Sequence, residues 1–259
     1  MAVPFEQKDR YSAQDLLQIL ACLRAPGGCP WDREQTHQSI RSDFLEETYE
    51  AIDAINNGDD ITLQEELGDV LLQVAFHAQI AAEQGAFTFD DVADGICKKL
   101  IVRHPHVFGS VKAESTQQVL QNWDAIKRSK AGATQADLLR SVPHAMPALS
   151  RAAKVQNRAR RVGIEQDAQT AQADLAAAWE GFCNASEQGR EAAYGALLFA
   201  LSGSAHRMGL DPELCLMKAT DAFIGRFDQA EAQMLAEGVD WNTAEQRHRD
   251  ALRDKVFTK

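Results

Sequence analysis

The sequence predicts an all-α fold, and three observations carry that reading. Apolar residues recur at helical spacing, as Leu16, Leu17, Leu20 and Leu23 near the start and as an almost continuous apolar stretch from Leu67 to Ala82. No run alternates with the period of two that a half-buried strand requires, and no Asn-Gly turn is flanked by such runs. Helix-start patterns are frequent: Ser12 opens S-A-Q-D, Thr62 opens T-L-Q-E and Thr88 opens T-F-D-D.

Taken in order, the first helix runs from Ser12 to about Arg24. The Gly/Pro-rich stretch Ala25–Asp32 stops it and reads as a loop carrying an aromatic residue, Trp31. A second helix spans about Ser42 to Ile55, and a rotation of about 100° per residue puts Phe44, Ala51, Ile52 and Ile55 on its core side. Glu46, Glu50 and Asp53 share the opposite side, with Glu47 at the border. The Asn56–Asp60 turn is short enough to fold back into an antiparallel hairpin. The third helix then begins at Thr62 and is expected to be buried from Leu67 to Ala82, apart from one polar stripe of Glu66, Asp69, Gln73 and His77. Gly85 ends it. Thr88 starts a fourth helix, ending near Arg103, and a fifth from about Thr116 to Arg128 carries Trp123 and Lys127.

Residues 131–147 lose periodicity and hold two prolines, so they read as a linker between a first domain, 1–130, and a second, 148–259. Helical patterns resume at about 147–160, 168–188, 189–208, 211–236 and 243–256. The second half looks like a faded copy of the first. Gly68-Asp-Val-Leu-Leu aligns with Gly195-Ala-Leu-Leu-Phe, so that Glu65, Glu66 and Asp69 become Ala192, Ala193 and Ala196.

Composition narrows the function. The chain has 259 residues, 45% of them hydrophobic, enough to build a sizeable core. A net charge of -11 argues against a nucleic-acid polymer as partner, though a bound cation would reverse the local sign for a nucleotide. Five cysteines without a C-x-x-C pair suit a reducing cytoplasm, and neither a leader-like apolar region nor a membrane-length apolar run is visible.

The chemistry concentrates in two acidic pairs, Glu47/Glu50 and Glu66/Asp69. Each is spaced i, i+3, which places both carboxylates on one helix face, where like charges repel unless a cation lies among them. A hairpin would bring the pairs together as an all-oxygen site suited to Mg²⁺, with Mn²⁺ also accommodated. Two solvated acidic faces would present the same residues. A di-iron bundle would want Glu-x-x-His, which these helices lack. Lys99, Arg103 and Lys127 suit polyphosphate oxygens, or simply complement helix C-termini. Trp31 and Trp123 offer flat faces for a base or serve the core.

Four blocks agree in order and spacing with a known family: Gly28–His37 (GCPWDREQTH), Leu45–Glu50 (LEETYE), Glu65–Leu72 (EELGDVLL) and Arg103–Phe108 (RHPHVF). Together they resemble the MazG family of nucleoside triphosphate pyrophosphohydrolases, all-α proteins similar in plan to dimeric dUTPases. The resemblance implies two tandem MazG-like helical domains of four- to five-helix bundle type, the second degenerate. It implies Mg²⁺ ligation by Glu47, Glu50, Glu66 and Asp69, phosphate contacts by Lys99 and Arg103, and a nucleotide-proximal Trp123. The expected activity is Mg²⁺-dependent hydrolysis of (d)NTPs to (d)NMP and pyrophosphate, with Glu46 or Glu65 orienting the water, in a homodimer. The competing expectation is a catalytically weak helical module that senses nucleotides or binds proteins, supported by the emptied second half. A third is hydrolysis of another nucleoside polyphosphate or a sugar nucleotide at the same metal site.

Overall fold

The computed structural model describes residues 5–111, 115, 118–119, 134–164, 167–239 and 246–257, and every regular element among them is helical. The chain divides into two compact units, residues 1–129 and 130–259.

In the first unit, α1 (Ala13–Arg24) starts as the sequence predicts, at a reciprocal capping box between Ser12 and Asp15. The chain then turns so tightly that a Cβ on Gly28 would lie 2.3 Å from the Leu23 carbonyl oxygen, and the Cys29 N–H donates to that same oxygen at 2.8 Å. Part of the expected loop is a short helix, α2 (Pro30–Glu34). Proline stands at its first position, where the missing N–H costs nothing and the fixed φ favours a helix. The same device starts α6 (Pro105–Phe108) after α5 (Phe89–Arg103).

The acidic hairpin is α3 (Arg41–Asn57) and α4 (Asp60–Glu83). Its turn is tighter than the sequence suggests. Gly58 takes the left-handed conformation, φ 67°, that closes α3, and the Asp59 side chain accepts from the Ile61 and Thr62 N–H groups to open α4. Thr62, expected as the cap, instead donates its hydroxyl to Asp59 at 2.8 Å. Asp59 wins because its carboxylate reaches two orphan N–H groups at the helix start.

Leu20 of α1, Ala75, Phe76 and Ile80 of α4, and Ile40 form the core, with Leu16, Leu17, Leu72 and Phe89 packed against it. Full burial of each large member contributes about 1.5–3 kcal/mol. The core therefore grips the C-terminal half of α4. Its N-terminal half is not buried as expected: Leu67 is 54% exposed and Leu71 39%.

In the second unit, a six-residue helix, α7 (Gln135–Arg140), occupies part of the stretch read as linker, under a Thr134/Asp137 capping box. Arg158 ties it down by donating to the Leu138 carbonyl and the Ser141 hydroxyl. There follow α8 (Ala148–Arg161), α9 (Ala168–Cys183), a 3-10 turn (Glu187–Gly189), α10 (Arg190–Arg207), α11 (Pro212–Ala236) and α12 (Gln246–Phe257). The packing order matches that of the first unit: α9 and α10 pair as α3 and α4 do, α8 lies on α10 as α1 lies on α4, and α11 follows α10 as α5 follows α4. A separate core of Ala230, Met234 and Val256 joins α11 to α12. Among the described residues no helix is long and apolar enough to cross a membrane.

Candidate metal centre

Helix α3 meets α4 through small residues. Ala51 and Ala54 are its buried positions, and Glu47, one turn before Ala51, is half-buried on the same face. This departs from the sequence reading, which put Phe44, Ile52 and Ile55 on the core side. Those three are exposed, Ile55 by 60%. Alanines let the two backbones approach closely, and that approach carries Glu47 to the acids of α4.

Glu47, Glu66 and Asp69 each bring a carboxylate oxygen within 4.8 Å of the others, and all three are partly buried. Glu50 is exposed beside them and acts on Glu66 both as a like charge and as a hydrogen-bond partner. Burial pushes the Glu47 carboxyl above its ordinary range, and Asp69, Glu50, Glu66 and Glu46 push it the same way. Glu66 is raised for the same reasons, burial first and then Glu50, Asp69 and Glu65. Unit charges about 4 Å apart repel by roughly 4 kcal/mol at an effective dielectric constant of about 20. A cation among the oxygens would relieve that repulsion. The donors are all carboxylate oxygens, which fits a hard divalent ion and does not fit a soft one.

Glu46 is exposed next to the trio, and Trp31 on α2 is 61% exposed. Lys99 and Arg103 lie one turn apart near the end of α5, which packs on α4. Lys98 is turned to Asp94 at 2.5 Å, whereas Lys99 has no ion pair among the described residues. His104 closes α5 with its Nδ1 at 2.6 Å from the Leu100 carbonyl oxygen. Trp123 and Lys127 lie outside the described residues.

The polar stripe of α4 continues beyond the acids into a feature the sequence did not pair. His77 Nδ1 lies 2.8 Å from His37 Nδ1, with the rings only 7° from parallel and their centroids 5.1 Å apart. A 2.8 Å approach is shorter than stacked faces permit, so the rings meet edge to edge with one proton between them. Phe44 of α3 tilts against His77 at 5.7 Å. Gln73, one turn from both Asp69 and His77, is buried with its Oε1 unpartnered. His77 was visible on the stripe; His37, forty residues away, was not signalled by any local pattern.

Comparison with known proteins bears on this arrangement. A family model described as the MazG nucleotide pyrophosphohydrolase domain matches residues 35–108, a stretch that holds all four acids, both histidines, Lys99 and Arg103. The chain is 39% identical over 228 residues to the nucleoside triphosphate pyrophosphohydrolase/pyrophosphatase MazG of Thermotoga maritima, covering 87% of this chain and 88% of that protein. It is 38% identical over 257 residues to the nucleoside triphosphate pyrophosphohydrolase of Escherichia coli K12, covering 93% and 97%. It is also 40% identical over 249 residues to the uncharacterized protein YabN of Bacillus subtilis, of which it spans about half, 51%.

Proposed function

Since the chain belongs to the MazG family of nucleoside triphosphate pyrophosphohydrolases, we propose that it hydrolyses (d)NTPs to (d)NMP and pyrophosphate at the acidic hairpin. The observation that carries this reading is the convergence of Glu47, Glu66 and Asp69 from two helices, with carboxylate oxygens within 4.8 Å. With Glu50 these residues would hold Mg²⁺ or Mn²⁺. The bound cation would neutralise triphosphate oxygens and charge developing on the leaving pyrophosphate.

The remaining roles belong to the chain's own side chains. Lys99 and Arg103 bind phosphate oxygens from α5, and Lys127 joins them on sequence grounds. Glu46, exposed beside the trio, orients a water for in-line attack at the α-phosphorus. Trp31 presents its exposed ring to the base, and Trp123 is assigned to the same end of the substrate. The chain acts as a homodimer. The apolar residues Ile52, Ile55, Leu67, Leu71, Ile96 and Leu100, exposed along α3, α4 and α5, support this, because they offer apolar area for a second copy to bury. A cytoplasmic setting is supported by five free cysteines.

The test is incubation with each common NTP and dNTP in Mg²⁺, with product separation and an Asp69→Ala control. Monophosphate and pyrophosphate, lost by orders of magnitude in the variant, are expected. Diphosphate and phosphate would place the scissile bond elsewhere. Saturable binding without turnover would instead assign a nucleotide sensor. Calorimetric titration of Mg²⁺ into the apo chain checks the metal without turnover.

A further inference from the structure

The second unit has no acidic cluster among its described residues, yet it carries a concentration of positive charge. Helix α8 (ALSRAAKVQNRARR) holds Arg151, Lys154, Arg158, Arg160 and Arg161 and no acid, in a chain of net charge -11. Ser150, Lys154, Asn157 and Arg161 follow one another at i+3 or i+4, so they form a single stripe. The first three of that stripe line a cavity of about 420 Å³. This open cavity is also lined by Met146, by His206 in the last turn of α10, and by Leu210 in the turn leading to α11. The volume falls in the range usual for small-molecule sites, and the lining mixes apolar walls with a few polar groups.

The polar groups are placed for an anion with a neutral, hydroxylated body. Lys154 is exposed into the cavity and makes no ion pair among the described residues. Burial keeps His206 toward its neutral form, and Arg160 and Arg161 push the same way against the opposing charge of Asp211. On the opposite wall Asp211 accepts the Glu213 and Leu214 N–H groups through Oδ1, leaving Oδ2 to receive hydroxyl hydrogens. Glu213, two residues on and outside the lining, accepts the Ser150 N–H at 3.2 Å.

We propose that this cavity is a binding site for a small phosphate monoester on a sugar, with the phosphate at Lys154 and the hydroxyls at Asp211. The corresponding corner of the first unit, between α1, α4 and the start of α5, offers only about 180 Å³ and no cationic lining. In the repeat register that aligns Gly68 with Gly195, the positions emptied of acids are Ala192, Ala193 and Ala196. His206 lies about 15 Å further along α10 than Ala196 at 1.5 Å per residue. The site is thus separate from any remnant of a second metal centre, and it needs no metal.

Calorimetric titration of the full chain in EDTA, on a Lys99→Ala/Arg103→Ala background that removes the phosphate contacts proposed for the first unit, tests the proposal with AMP, ribose 5-phosphate and inorganic phosphate. Ester binding is expected, weakened at least tenfold by Lys154→Glu and also weakened by Asn157→Leu, with circular dichroism unchanged. Tighter binding of AMP than of ribose 5-phosphate identifies a nucleotide site, and equal binding a sugar phosphate site. No ester binding, inorganic phosphate binding as tightly as the esters, or binding indifferent to Lys154→Glu overturns it.

Discussion

Arg24 grips both carboxylate oxygens of Glu83 across 59 residues of sequence, through Nε and Nη2 at 2.8 Å each. Its remaining nitrogen, Nη1, donates to the Asp32 and Gln35 carbonyls, and the guanidinium lies over Phe76 at 5.3 Å. One side chain thus fixes α1 to α4 and pins the end of α2. Gln35 in turn donates to the Trp31 carbonyl at 2.9 Å, so the segment carrying Trp31 is held through Arg24. Arg24→Ala removes a charged donor from Glu83 and from two part-buried carbonyls, and is expected to cost about 2–3 kcal/mol in urea unfolding. Glu83→Gln, which keeps a hydrogen-bond acceptor on a partly exposed group, should cost less than half of that. Equal costs would mean that Arg24 acts only through the ion pair.

The His37–His77 bond predicts a pH dependence. Burial and the neighbouring His37 lower the His77 pKa below its ordinary 6.5. The unfolded chain therefore takes up the proton first as pH falls, so stability is full above about 6.5 and declines below it until the folded pKa is reached. A second proton on the pair would remove the only acceptor and break the bond. Thermal melts between about pH 7.5 and 5.5 should show this slope. In His77→Phe, which keeps an aromatic contact for Phe44, it should flatten. An unchanged slope would assign the titration to another group.

How much of this was readable depended on the range of each interaction. The i, i+3 acids, the Ser12 and Thr88 capping boxes and the extent of α5 are local patterns, and each stands where the spacing puts it. The short helix α2 was read as part of a loop, because proline signals a break and a first helical position alike. The inward face of α3 was misread for a physical reason. Hydrophobicity favours Ile52 and Ile55 as core, whereas close approach of two helices favours Ala51 and Ala54. Arg24–Glu83 and His37–His77 join residues 59 and 40 positions apart, and no periodicity encodes such a pairing.

Two glycines ten residues apart should respond to alanine with opposite sign. Gly58 sits at φ +67°, with nothing within 4 Å of an added Cβ, so its cost is purely that of a left-handed backbone. Gly58→Ala should lose about 1 kcal/mol. Gly68 lies inside α4 with equally open space around its Cβ and ordinary helical geometry. Gly68→Ala should gain about 0.5–1 kcal/mol from helix propensity. A loss at Gly68, accompanied by a fall in measured oligomer mass, would show instead that a second copy approaches the backbone there.

The acids themselves set activity against stability. Without metal, Glu47 has its pKa raised by burial and by its acidic neighbours, so the folded chain holds this proton more tightly than the unfolded one. That contribution is present below the ordinary value of 4.5 and is lost as pH rises through the folded pKa. At pH 7 the apo protein therefore carries a charge that folding disfavours. Glu47→Gln removes the charge and keeps the shape. In EDTA at neutral pH the variant should melt a few degrees higher than the parent, with a weaker dependence on pH above the ordinary value of 4.5. In Mg²⁺ the order should reverse, because only the parent gains full stabilisation from the cation, and turnover should fall at least about 100-fold. A variant less stable than the parent in EDTA would sink the idea that these carboxylates are held together against their repulsion.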